Sequence, residues 1–147
     1  MFLIIHSLVG SVLGHLILSP VMAFFVGVLS HFLLDMIPHG DDQLKKYLGD
    51  SHLKHMMIGA MDGMLALIML LAVANIVGFR QSILFGALGG ILPDLIWGIP
   101  ALFKRKTLKW YESFHHNMHF VVKKRLPLVP GFLLQILVIV FLFWAIR

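Results

Sequence analysis

The chain has 147 residues, 59% hydrophobic and 13% charged, with a net charge of +5 and no cysteine. Soluble domains of this size carry about a quarter charged residues, so this composition and a mean hydropathy of +0.92 mark an integral membrane protein of one domain, residues 1–147. Lack of cysteine excludes disulfides and thiolate metal sites, and basic loops in a membrane chain reflect topology and anionic lipid headgroups rather than nucleic acid.

The opening MFLIIHSLVG has no basic stretch and no A-x-A cleavage site, and reads as a retained first helix. Apolar runs place five spans at 2–18, 20–37, 55–77, 81–99 and 128–146, each near the ~20 residues that cross a bilayer core. Ser19-Pro20 makes the first turn tight, and Gly78 to Arg80 the second. The segment 104–125 mixes Lys104, Arg105, Lys106, Lys109, Lys123, Lys124 and Arg125 with Leu108, Trp110, Tyr111 and Phe114. It reads as an interfacial amphipathic helix with an aromatic anchor. The predicted fold is all-α, a polytopic membrane protein.

Arg80 and Arg147 fall on the side of the tight turns, and the other ten of the 12 Lys and Arg fall on the opposite, loop side. The positive-inside rule makes the loop side cytoplasmic, with the N-terminus in the cytoplasm. The expected location is the bacterial inner membrane. An internal repeat is also legible. His6, Gly10 and Gly14 share the spacing of His55, Gly59 and Gly63, and the run from Gly27 to Ile37 matches Gly86 to Ile96. Residues 1–37 and 55–99 thus read as two copies of one hairpin, related by an axis along the membrane normal.

Most of the ionisable groups gather on the loop side. His31 and Asp35 close the second span at i, i+4, so both share one helix face. Pro38 stops that helix and lets His39, Asp41 and Asp42 turn back. His52 and His55 open the third span with Asp62 two turns inside, Asp94 lies near the loop-side end of the fourth, and His6 lies just inside the first. His115 and His119 are again i, i+4, while His116 projects elsewhere. Only His15 belongs near the other side. Intramembrane carboxylates are costly and so usually functional. Imidazoles interleaved with carboxylates suit a metal of the N/O type, zinc first and manganese second. The expected metal ligands are His31, Asp35, Asp94, His119, His6 and His55. Asp62, His39 and His115 are the expected catalytic groups, and Lys104, Arg105, Lys123 and Lys124 would hold an anionic headgroup.

At LSHFLLDMIPHG (29–40) and GALGGILPDL (86–95) the chain resembles the YdjM-like family, LexA-regulated inner-membrane metal-dependent hydrolases. The resemblance covers the paired hairpins. The family's HRG-x-THS stretch is absent, HHNMH (115–119) stands as its candidate counterpart, and the motif order is rearranged. HFLLDMIPH also resembles the H-x-x-x-D segment of zinc-dependent phospholipase C and P1-type nucleases, helical phosphoesterases with clustered zinc ions. That similarity implies His31 and Asp35 as ligands, with His39 a possible one, and phosphoester hydrolysis as the activity. The combined expectation is a metal-dependent hydrolase acting on a lipid or lipid-linked phosphate ester at the cytoplasmic leaflet. The alternative is a proton- or metal-coupled small transporter or channel, and a third reading is a non-catalytic scaffold.

Overall fold

The computed structural model describes residues 1–40, 43–49, 51–102, 108–119, 121–122 and 126–147. Among them the chain is all-helical: α1 (Leu3–Leu16), α2 (Pro20–Asp35), α3 (Leu44–Leu48), α4 (His52–Val77), α5 (Gln81–Leu102), α6 (Lys109–Met118) and α7 (Leu128–Ala145). Local chemistry sets several of the ends. Pro20 opens α2, where its missing N–H would have had no helical partner, and the Ser19 side chain accepts from Met22 N–H at 3.4 Å. Ser51 caps α4 in the same way. Gly78, at φ +81°, ends α4 in a left-handed conformation that side chains resist.

Among the described residues, three helices are long and apolar enough to cross a membrane: His52–Val77, Gln81–Pro100 and Leu128–Ala145. The first two expected spans are shorter. α1 and α2 have 14 and 16 residues, about 21 and 24 Å at 1.5 Å per residue, against about 30 Å of hydrocarbon. The expected amphipathic segment contains α6, which buries Tyr111 and His115 and exposes Trp110, Glu112 and His116.

α5 is the central helix. It lies along both α1 and α2, while α1 also packs on α4 and touches α7. Lipid supplies no hydrophobic drive for helices to associate, so close packing of small residues takes over. A Cβ on Gly10 or Gly27 would run into the carbonyl of Gly86, one on Gly89 into that of Phe24, and one on Gly90 into that of His6. These backbone-to-backbone contacts bring the loop-side ends of α1, α2 and α5 together. The second hairpin behaves differently. A Cβ on Gly59 or Gly63 would meet nothing within 4 Å, and α4 barely meets α5 although α1 packs well on α2. The two hairpins are alike in sequence spacing and unlike in packing.

The apolar core, Leu8, Val12, Val73 and Ile83, is closed by Met69, Leu70, Ile139, Leu142 and Phe143. The outer faces of α2, α4 and α7 expose Phe25, Leu29, Leu67, Leu71, Leu137 and Phe141. So much uncovered apolar surface fits a lipid-facing wall.

Candidate metal centre

His31 and Asp35 sit one turn apart on α2, and both are fully buried. Asp35 is the hub. Its Oδ2 lies 3.0 Å from His31 Nε2, 3.3 Å from His115 Nε2 and 3.3 Å from His119 Nε2. Its Oδ1 lies 3.2 Å from His6 Nε2 and 2.8 Å from the Met1 nitrogen. That nitrogen is also 2.9 Å from His39 Nε2. From α5, Asp94 Oδ1 comes within 3.4 Å of His115 Nε2 and 3.8 Å of His31 Nε2.

Among the described residues, two ligand groups result. His31, Asp35, Asp94 and His115 each offer one atom, all within 4.8 Å of one another, and Asp35, His39 and His119 form a second such group. Asp35 belongs to both. Ligands bound about 2.0–2.1 Å from a tetrahedral ion stand about 3.3 Å apart, and the separations of the two histidine nitrogens from each other and from the two carboxylates run from 3.0 to 3.8 Å. The buried His and Asp groups can therefore hold a metal ion.

The hydrogen bonds behind the rings support this. His31 Nδ1 is 2.7 Å from the carbonyl of Gly90, and His39 Nδ1 is 2.6 Å from that of Ile37. A carbonyl only accepts, so both Nδ1 atoms carry the proton and both Nε2 atoms present a lone pair when the rings are neutral. His31 Nε2 then faces the Asp35 carboxylate at 3.0 Å and His115 Nε2 at 3.2 Å. A shared cation, a metal ion or a proton, would hold these atoms together, and at His39 the Met1 ammonium stands 2.9 Å from Nε2. A backbone carbonyl behind a ligand histidine is the usual arrangement that orients it toward a metal.

His6 lies beneath this group. It is fully buried, its ring stacks on His31 with centroids 4.0 Å apart, and neither ring nitrogen has a hydrogen bond of good geometry. Its Nε2 is 3.2 Å from Asp35 Oδ1 and 3.9 Å from Asp94 Oδ2. Access comes from the other flank. The side chains of Asp94 and His119 keep 20% and 25% of their surface exposed, whereas those of His31 and Asp35 keep none.

α6 is held against the bundle by several contacts. Tyr111 OH donates to the carbonyl of Pro93 at 2.7 Å, and Phe114 packs edge-on against Phe32. Burial pushes the Tyr111 phenol up to about 12, and the charges of Asp94 and Asp35 add to the rise. Pro93 itself lacks an N–H, yet α5 runs through it without a break. The carbonyls of Gly90 and Pro93 are the ones drawn into the centre, by His31 and Tyr111.

Of the expected groups, the structure brings together His6, His31, Asp35, His39, Asp94, His115 and His119. It places two elsewhere. Asp62 accepts from the backbone N–H groups of Leu3 and Ile4 at 2.7 and 3.0 Å, so it caps α1 from α4. His55 is exposed, with Nδ1 bonded to the carbonyl of Ser51 at 2.8 Å. α4 packs on α1 rather than across the centre, which accounts for both. Lys104, Arg105, Lys123 and Lys124, and also Asp41 and Asp42, lie outside the described residues.

Two supporting residues, Tyr111 and Gln135, lie outside the expected groups. Tyr111 reads as one more interfacial aromatic among lysines. Gln135 is buried within the apolar helix α7, where Oε1 accepts from Phe2 N–H at 3.2 Å and Nε2 donates to the carbonyls of His39 and Gly131, each at 3.4 Å. A lone amide in an apolar span is a readable signal, since such groups are expensive there without partners.

Compared with known proteins, the chain matches no protein family, no curated protein and no solved structure.

Proposed function

We propose that the protein is a membrane-embedded, metal-dependent hydrolase of phosphate esters, acting on a lipid or lipid-linked substrate at the cytoplasmic leaflet. The observation that supports it most is the convergence of imidazole nitrogens on the Asp35 carboxylate, with His31 locked in position by the Gly90 carbonyl. His31, Asp35, Asp94 and His115 would hold one divalent ion, and Asp35, His39 and His119 a second. Zinc suits the imidazoles, and manganese the carboxylates. Bound there, the metal would polarise a phosphoryl oxygen and lower the pKa of a bound water toward about 7.

The remaining roles belong to the chain itself. His6 stacks on His31 with its Nε2 3.2 Å from Asp35 Oδ1, so its ring limits how far both can turn. Asp94 and His119, the partly exposed members, border the approach by which water and substrate would reach the ions. The two segments that resemble the YdjM-like hydrolases are those that carry His31, Asp35 and Asp94. The excess of basic residues on the loop side supports a bacterial inner-membrane location with that side cytoplasmic. A transporter would need a second opening for these groups, and at Gly10 and Gly86 the backbones of α1 and α5 are in direct contact.

The test is metal content by mass spectrometry on detergent-purified protein, followed by phosphate release from phosphatidic acid and polyprenyl phosphates. Stoichiometric zinc or manganese, lost together with phosphate release in His31→Ala and Asp35→Ala, is the expected result. Wild-type protein prepared without chelators and free of metal would sink the proposal, as would turnover that survives both substitutions.

A further inference from the structure

α7 contributes no ligand to either group, yet its one buried polar side chain is aimed at the centre. Gln135, 3% exposed, joins Phe2 N–H to the carbonyl of His39. One turn earlier, a Cβ on Gly131 would run into that same carbonyl. Two residues on one face of α7 therefore clasp the backbone of a single histidine. The neighbouring chain is strapped down as well, since Gln43 Nε2 donates to the Leu126 carbonyl at 3.1 Å and Gly40, at φ +77°, sits against Pro127.

His39 needs such support because, unlike His31, Asp35, Asp94 and His115, it stands on no helix. α2 ends at Asp35, and Pro38 precedes His39. Its Nδ1 bonds the carbonyl of Ile37 only two residues away, so the direction of Nε2 follows the local backbone, and Nε2 lies 2.9 Å from the Met1 nitrogen, which an ion there would displace. Whatever holds the His39 carbonyl holds the ring.

We propose that Gln135, with Gly131, is the positioning residue of the second metal position, the one formed by Asp35, His39 and His119. This rests on the two-ion reading above. The first position is built by α2, α5 and α6 and does not depend on α7.

The test is zinc binding to the full chain in detergent, by calorimetric titration after chelator treatment and by metal count after gel filtration. Wild type, Gln135→Met, Gly131→Ala and His39→Ala are compared. Wild type should bind about two zinc ions. Gln135→Met and Gly131→Ala should keep the first with unchanged affinity and weaken the second by about tenfold or more, the usual cost of removing an outer-shell partner. His39→Ala should remove the second. Metal-free thermal unfolding gives an independent readout, because a purely structural role would lower Tm and leave the second zinc in place. That pattern would overturn the assignment, and so would loss of both ions in either variant. A wild type that binds one ion removes the second position while leaving the metal-hydrolase proposal standing. A wild type that binds none removes both.

Discussion

The centre shows how one side chain's chemistry depends on a distant backbone atom. His31 has its nearest sequence partner at Asp35, but the carbonyl that fixes its tautomer is Gly90's, 59 residues on. Asp35 and His115 meet across 80 residues. Period and burial on α2 and α6 made the i, i+4 pairs legible, because a helix places those residues on one face whatever it packs against. Asp62 was legible as an intramembrane carboxylate but not in its use. Its two oxygens satisfy N–H groups at the start of α1, where the helix dipole also favours negative charge. Asp62→Ala should thus cost about 0.5–2 kcal/mol, as loss of an N-cap does, and leave metal content unchanged. A lower Tm with full zinc is the expected result, whereas loss of zinc at unchanged Tm would place Asp62 in the centre.

At the scale of elements, the glycines of α1 and α4 have the same spacing and different surroundings. Gly10 presses on the Gly86 carbonyl, and Gly59 on nothing. Gly10→Ala should destabilise by about 1–3 kcal/mol through overpacking. Gly59→Ala should be neutral or stabilising by up to about 1 kcal/mol, since alanine favours the helix. Thermal unfolding of the two in one detergent decides it, and equal losses would restore the symmetric hairpin pair. α6 offers a test by pH. The folded pKa of Tyr111, about 12, lies above the ordinary 10.0, so folding favours the protonated phenol. Its contribution to α6 docking is complete below about pH 10 and is lost as pH rises toward 12. In a Tyr47→Phe background, which leaves one of the two tyrosines, tyrosinate absorbance should rise near pH 12. A midpoint at about 10 would mean that Tyr111 is not buried against Pro93.

For the whole molecule, the quantity to measure is the depth of each helix in the bilayer. α4, α5 and α7 are long enough to cross, while α1 and α2 together make a shorter, glycine-lined pair buried against α5. The chain lacks cysteine, so single cysteines report cleanly. Under a five-span topology, Ser19→Cys and Arg147→Cys should react with an impermeant maleimide from one side and Lys46→Cys from the other. If Ser19→Cys is shielded from both sides while Arg147→Cys and Lys46→Cys label normally, α1 and α2 form a re-entrant hairpin instead.

The amino-acid sequence alone determined the apolar helices, their positions and turns, and the clustering of His and Asp at one end of them. Hydropathy, helical period, and the Ser-Pro and Gly stops act within a few residues, so they can be read locally. Tertiary structure decided which groups meet. His6 joined the centre and His55 did not, although both precede the same glycine pattern, because α1 crosses α5 backbone on backbone and α4 does not. It also decided that Asp35 is shared by both ligand groups, that Asp62 serves as a cap, and that Tyr111 and Gln135 support the centre. Each of these depends on how helices far apart in the chain cross, and side-chain periodicity within one helix carries no information about that crossing.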